Sequence, residues 1–427
     1  MNMMRYDTYK PSGIAWIGEV PEHWDVMPLK HGADVIMGQS PSGEDIKDEG
    51  VTPFMQGNAE FGSKYPHSSY YCDNCSKHSR VGDILMSVRA PVGELNISDQ
   101  VYGIGRGLCS IKSEKFDQGF LWFYLQKSKD DFNALANGST FTAITVDTLN
   151  NYPILLPPLA EQEAIAAYLD ARCADIDKVV ATQEKRIALL QELKQSEITQ
   201  AVTRGLNPDA RMKDSGVEWI GMVPEHWEVT KTLNVLAMPI TDGPHETPVL
   251  YDEGIPFISA EAVSGGYINF DLMRGYISEE YYKECCKKYI PQYNDIYMIK
   301  SGATTGRVAI VETDRIFTIW SPLATFRTNR DRMMPYYLYY LLKSDAYQKQ
   351  VEYSWTYGTQ QNIGMRSLER LKVTIPPLDE QGDIVSYLDC RCGEIDKQIG
   401  AVTKQIELLR EYKQALITEV VTGKRRV

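Results

Sequence analysis

Ser12–Val26 reads SGIAWIGEVPEHWDV, and Ser215–Val229 reads SGVEWIGMVPEHWEV. Eleven of these fifteen positions are identical, at an offset of 203 residues. A second pair follows: PPLAEQEAIAAYLDARCADIDK at Pro157–Lys178 and PPLDEQGDIVSYLDCRCGEIDK at Pro376–Lys397. Fourteen of those twenty-two match, at an offset of 219. Internal repetition governs how the rest of a chain is read, because overlooking it misassigns the whole fold. Here a duplicated scaffold surrounds unlike inserts, which suggests one job done at two places.

The offsets differ by 16 residues, so the variable material lies between the repeated blocks. The first variable segment is Asp25–Leu156 and the second is Glu228–Ile375. Their lengths, 132 and 148 residues, are each that of an ordinary domain. They share a faint skeleton. Val81–Met86 corresponds to Tyr293–Met298, a turn feeding a strand. Leu121–Leu125 corresponds to the aromatic helix start Tyr336–Leu341, and Gly138-Ser139-Thr140 to Gly358-Thr359-Gln360. Short strands, frequent turn residues and one or two helices read as α+β, with one fold used twice.

After each Pro-Pro the pattern changes. Glu161–Val202 and Glu380–Val421 contain no proline and only Gly382, Gly393 and Gly400. Ile395, Ile399, Val402, Ile406 and Leu409 recur at steps of four and three; their counterparts are Ile176, Val180, Gln183, Ile187 and Leu190. That is a heptad seam with charged outer faces. The prolines sit where helices start, and Gly205 and Gly423 where they stop. Each helix is therefore some forty residues, roughly 60 Å long. Two such helices in one chain bury their stripes by packing antiparallel, with an insert at each end. Gln183 is a polar break in the seam, either a register mark or a tolerated substitution.

Composition bounds the class. A chain of 427 residues holds more than one domain. No apolar run reaches the ~18–20 residues of a membrane span, and the N-terminus shows no secretory signal. Eight cysteines without an export signal are expected to be reduced thiols in a cytoplasm. A net charge of −12 argues against nucleic acid when taken whole, since phosphate binding wants a basic footprint. Locally, Lys283, Lys287, Lys288, Lys300, Arg307, Arg315, Arg327, Arg330 and Arg332 supply the material for a basic face.

The S-G-x-x-W-I-G-x-V-P-E-H-W block, the P-P-L-x-E-Q-x-x-I-x-x-Y-L-D block and the paired long helices resemble the specificity subunit of type I restriction–modification systems. Trp16, Ile17, Gly18, Pro21, Glu22, His23 and Trp24 carry the likeness first, then Pro157, Pro158, Leu159, Glu161, Gln162, Ile165, Leu169 and Asp170. Both sets return in the second half, so the resemblance covers essentially the whole chain. It implies two target-recognition domains joined by an antiparallel helical pair, each domain reading half of a split, asymmetric sequence of double-stranded DNA. It implies a division into 1–156 (N-terminal strand region and first recognition domain), 157–206 (central helix), 207–375 (second such region and domain) and 376–427 (C-terminal helix). It also implies partners: two methyltransferase subunits docked on the repeated regions and two restriction-translocase subunits. S-adenosylmethionine, ATP and magnesium would belong to those partners, with no cofactor on this chain. The helices would hold the half-sites a fixed number of base pairs apart, in the cytoplasm and away from any membrane.

Candidate readers are polar residues of Gly-containing loops, since Arg and Lys pair with guanine, Asn and Gln with adenine, and all also hold phosphates. In the first insert these are Arg89, Arg106, Ser139 and Thr140. In the second they are Lys300, Thr304, Thr305, Arg307, Gln360, Gln361 and Asn362.

Other chemistry fits less well. His67, Cys72, Cys75 and His78 have ligand types that suit zinc, but their second-insert counterparts Glu279, Glu284, Lys287 and Ile290 do not, so no metal is expected. Gly103-x-Gly105-x-Gly107 precedes a strand, which points to a close backbone approach and away from a phosphate loop. His23 and His226 read as satisfied structural histidines, and Cys173 and Cys392 as packing residues. No Walker lysine motif or amino-methyltransferase Asn-Pro-Pro-Tyr occurs, which argues against an enzyme acting alone. The 26 tyrosines and the acidic balance leave a tandem carbohydrate- or protein-binding adaptor as the rival class.

Overall fold

The computed structural model describes residues 5–136, 143–357 and 361–427. It divides into two compact units: Met1–Glu184 with Lys404–Val427, and Lys185–Thr403. The C-terminal end of the chain therefore belongs to the same unit as the N-terminal end.

In the first unit an antiparallel four-stranded sheet runs in the order Ala33–Met37, Leu108–Ser113, Ile84–Ser87, Leu95–Ile97. Beside it lies a three-stranded sheet in the order Tyr70–Tyr71, Pro53–Met55, Gly103–Ile104, whose last pair is parallel. The second unit repeats this plan. Thr241–Asp242, Leu323–Phe326, Ile296–Ile299 and Val308–Ile310 take the four places, and Gly275–Ile277, Ile255–Ile258 and Thr318–Ile319 the three, again with a parallel last pair. Its larger sheet is extended by Tyr267–Ile268 and Val263–Ser264, a hairpin turning on Gly265 and Gly266.

Each insert is closed by its own ends. Asp25 pairs with Leu156 and Pro28 with Pro153 in one antiparallel ribbon. Glu228 pairs with Ile375 and Lys231 with Lys372 in the other. These ribbons begin and end where repeated and variable sequence meet. The apolar strand residues Ile84, Leu85, Met86, Leu108 and Cys109 are fully buried, and so are Ile296, Met298, Ala324 and Phe326 of the second unit. Burying a large aliphatic side chain contributes roughly 1.5–3 kcal/mol, so these strands are a main source of each unit's stability.

The long helices are Leu159–Arg204 and Leu378–Val421. Within the first unit Ile165, Leu169, Cys173, Ile176 and Val180 are buried along one helix, and Ile406, Leu416, Ile417 and Val420 along the other. Lys413 pairs with Asp177 at 2.7 Å and Arg410 with Glu184 at 2.8 Å, so numbering rises along one helix as it falls along the other. The second unit shows the same antiparallel sense, with Lys194 on Asp396 at 2.6 Å and Arg391 on Glu197 at 3.1 Å. Exposed pairs of this kind contribute about 0–1 kcal/mol each, so they align the helices more than they hold them. Cys173 and Cys392 are buried in the seam. Gln183 is half-buried, and its Oε1 accepts no hydrogen bond among the described residues. No helix among the described residues is long and apolar enough to cross a membrane.

Candidate nucleic-acid interface

The repeated blocks meet in each unit through one Glu-Gln dipeptide at the start of a long helix. Glu161 accepts a hydrogen bond from Trp24 Nε1 at 2.9 Å and from the Tyr6 hydroxyl at 3.1 Å, and lies 2.7 Å from His23 Nε2. Glu380 accepts from Trp227 Nε1 at 3.1 Å and lies 2.8 Å from His226 Nε2. Burial pushes the Glu161 carboxyl up, but the hydrogen bonds from Trp24 and His23 outweigh it and hold the group below its ordinary value of 4.5. The histidines are satisfied, as expected, though by a carboxylate and with one face in solvent rather than among apolar neighbours.

The neighbouring glutamine reaches the insert. Gln162 Oε1 accepts from the Asp117 backbone N–H at 2.8 Å, and its Nε2 donates to the Pro157 carbonyl at 2.8 Å. Gln381 does the same with Met334 N–H at 2.8 Å and the Pro376 carbonyl at 2.9 Å. Asp117 and Met334 are the N-caps of the aromatic helices Gln118–Lys127 and Pro335–Lys343. An E-Q pair therefore ties the first block with one side chain and the insert with the next.

Among the described residues, the candidate readers other than Lys300 gather at one end of each larger sheet. In the first unit Val88 N–H donates to the Gly107 carbonyl at 2.9 Å, just past the Ser87–Leu108 pair. That sets the exposed Arg89 and Arg106 on adjoining strand ends. Arg89 also bridges Ala143, and Ile144 N–H donates to the Val88 carbonyl at 2.9 Å. Ser139 and Thr140 lie outside the described residues.

The second unit has the same arrangement. Ser301 bridges Asn362, and Ile363 N–H donates to the Lys300 carbonyl at 2.9 Å. The turn Gly302–Arg307 is thereby brought beside the Gln361–Asn362 strand. Arg307 is exposed. Thr304 is half-buried, and the Thr305 hydroxyl donates to the Gly302 carbonyl at 2.7 Å. Gln360 lies outside the described residues. Lys300 stands apart from the other candidates. It occupies the position of buried Val88, and its Nζ points inward, 3.3 Å from the fully buried carboxylate of Asp242.

Much of the basic run is neutralised in the same way. Lys288 also pairs with Asp242, Lys287 with Glu284, Arg327 with Asp295 and Arg332 with Glu228. Burial pushes the Asp242 carboxyl up, but Lys288 and Lys300 outweigh it and hold it below the ordinary carboxylate value. These partners are 46 to 104 residues from their cations in the case of Lys288 and Arg332, so no local pattern could have shown them. Sequence reasoning also passed over Arg274, whose guanidinium lies 4.3 Å from the Trp320 ring centroid, and Lys194 and Lys343.

Other motifs resolve into packing. A side chain at Gly105 or Gly107 would meet Gln56 at 2.5 Å, so that glycine run is a close approach of two backbones. Cys72 and Cys75 pack with Phe54 in a small core, while His67 is exposed. Burial, then the neighbouring Cys72, push the Cys75 thiol up to about 12. No group of three or more His, Cys, Asp or Glu among the described residues is placed to hold a metal ion. Tyr102, Tyr124, Tyr297, Tyr337 and Tyr347 are fully buried, so these tyrosines serve the core.

Comparison with known proteins bears on the family and the fold. A family model described as the type I restriction modification DNA specificity domain matches residues 21–190 and 244–406. The chain is similar to a putative type I restriction enzyme MjaX specificity subunit of Methanocaldococcus jannaschii, 43% identical over 183 residues, which is 42% of each chain. It is also similar to the type I restriction enzyme MjaVIII specificity subunit of the same organism, 23% identical over 423 residues, covering 96% of this chain and 94% of that one. The chain thus spans less than half the length of the first relative and nearly all of the second. A solved structure described as the structural basis of complex assembly and conformational transition of the type I R-M system contains a chain of the same fold. Its TM-score is 0.69 at 19% identity, over 94% of this chain and 98% of that one.

Proposed function

Because the chain belongs to the family of the type I restriction modification DNA specificity domain, we propose that it is the non-catalytic subunit that chooses where a type I restriction–modification complex acts on DNA. Each unit reads one half of a bipartite, asymmetric site. The observation that carries this reading is one sheet plan used twice with different side chains at the same end. Where the first unit presents Arg89, the second presents Ser301, and both bridge the segment that precedes the next short helix. Equal scaffolds with unequal reading surfaces suit two unlike half-sites on one duplex. Linking two readers also makes the second contact intramolecular, which raises affinity without any new contact.

The long helices set the gap between the half-sites. Leu159–Arg204 has 46 residues, about 69 Å at 1.5 Å per residue, against ~34–36 Å for one turn of B-DNA. The first repeated strand region and recognition domain together span 1–156 and the second such pair 207–375, with the helical regions at 157–206 and 376–427. Two methyltransferase subunits dock on the repeated blocks, where Trp16 is exposed, and two restriction-translocase subunits join them. S-adenosylmethionine, ATP and magnesium are bound by those partners, in the cytoplasm.

The test is co-expression with the partner methyltransferase in a host lacking other such systems, followed by genome-wide mapping of methylated adenines. One split, asymmetric motif with a constant gap is expected. Methylation without sequence dependence, or a single uninterrupted motif, would refute the reading.

A further inference from the structure

A hollow of about 450 Å³ in the second unit combines three cations with bare backbone and no acidic lining residue. Lys194 comes from the long helix, Arg307 from the turn after the central strand, and Lys343 from the last turn of the aromatic helix. Lys194 is already matched by Asp396 at 2.6 Å. Arg307 and Lys343 make no salt bridge among the described residues. Lys343 Nζ donates to the Tyr339 hydroxyl at 2.9 Å and lies 4.5 Å from that ring's centroid. Burial, then the nearby Lys194, hold the Lys343 ammonium below its ordinary value of 10.5. A cation so placed gains from an incoming anion.

The walls are built to admit one. Gly266 and Gly306 have φ of +91° and +94°, a region that L side chains rarely adopt. A Cβ at Gly266 would come within 2.1 Å of the Tyr339 hydroxyl, and one at Gly306 within 2.4 Å of Gln348 Oε1. Gln348 Nε2 fixes the turn by donating to the Gly306 carbonyl at 2.9 Å and the Leu342 carbonyl at 2.6 Å. The hollow thus offers positive charge and side-chain-free backbone, which suits a phosphate better than a base edge.

We infer that this hollow seats a backbone phosphate of the DNA duplex, held by Arg307 and Lys343 between the recognition fold and the helix that carries Lys194. The inference rests on the reading of the chain as a DNA-recognition subunit. It gives Arg307 a positioning role that is blind to sequence, and it adds Lys343, which lies at the end of a helix and outside the glycine-containing loops.

The test uses the complex of the full chain with its methyltransferase partner, binding a duplex that contains the mapped site over a series of salt concentrations. Arg307→Gln and Lys343→Met should each lower the slope of log affinity against log salt by about 0.9, the value for one lost phosphate contact. Both should weaken binding to all duplexes alike and leave the methylated motif unchanged, while Arg307→Lys keeps the slope. An unchanged slope in a well-folded Arg307→Gln complex overturns the inference, and so does a motif altered at one base. Arg307 is exposed, so its variants carry the test if Lys343→Met does not fold. If the wild-type complex binds no duplex, the DNA-recognition reading itself fails and this inference with it. If it binds and methylates while the variants keep their slope, only the phosphate seat fails.

Discussion

Trp24 donates its indole Nε1 to Glu161 Oε2 across 2.9 Å, at a separation of 137 positions in the chain. The bond fastens the first repeated block to the second at the point where a long helix begins. Trp227 and Glu380 repeat it in the other unit at 3.1 Å. The two motifs that recur together along the sequence thus form one joint. They frame the insert, whose own ends pair as the ribbon from Asp25 to Leu156. Whatever the insert reads is presented from the same mount.

Acid should loosen that joint in the first unit. The folded state holds the Glu161 carboxyl below its ordinary value of 4.5, so its contribution is complete above that value and is lost as pH falls through the lower, folded one. The difference in urea midpoint between wild type and Glu161→Gln, followed by tryptophan fluorescence, should therefore shrink between about pH 6 and about pH 3. A difference that stays constant over that window would show that the charge on Glu161 is immaterial to stability.

The two helix-ending glycines should respond unequally to alanine. Gly205 and Gly423 have φ of +72° and +71°, and each lies against the tryptophan of its joint. The left-handed conformation alone costs an L residue roughly 1–2 kcal/mol. At Gly423 a Cβ would in addition meet Pro21 Cδ at 2.3 Å, whereas at Gly205 the nearest atoms are at 3.1 Å. Gly423→Ala should thus be the more destabilising in urea unfolding. Equal losses would mean that Pro21 moves aside freely.

What the chain disclosed in advance was what repeats. The offsets marked the ends of each insert, and the steps of four and three marked the buried stripe that includes Ile176, Val180, Ile395 and Val402. Arg89 and Arg106 could be singled out because a polar residue beside glycine turns is a local signal. The fate of Lys300 was not local. It depends on Asp242, 58 residues earlier, lying beneath it in the folded sheet. The hollow around Lys343 was equally hidden, since it draws on a helix, a hairpin and a turn that meet only after folding.

Arg327 shows how a basic run can be structural. Its Nε and Nη2 reach Asp295 Oδ1 and Oδ2 at 2.7 Å each, and that carboxylate is almost wholly buried. The equivalent Asp83 of the first unit needs no arginine, being satisfied by the Ser110 hydroxyl at 2.6 Å and the Arg80 backbone N–H at 2.9 Å. Arg327→Met should destabilise the second unit by about 1.5–3 kcal/mol, because the buried Asp295 loses its charged partner and, among the described residues, keeps only the Gln292 N–H and the Tyr289 hydroxyl. Adding Asp295→Asn should restore much of that loss. Chemical denaturation of the two variants measures this. A small effect of Arg327→Met alone would show that Asp295 is held in the core without its arginine.

Lengthening both long helices should widen the gap that the complex accepts. Four added residues make about one helical turn, roughly 6 Å of extra helix, and keep the apolar stripe nearly in phase. The insertion belongs between Glu184 and Leu193, with a matching one between their counterparts Thr403 and Tyr412. At ~3.4 Å per base pair, the expected methylated motif keeps both half-sites and gains about one or two unread base pairs between them. Mapping methylated adenines in cells that express the lengthened chain gives the answer directly. If the half-sites persist at their original separation, the helices do not set the distance, and the recognition domains must find their spacing some other way.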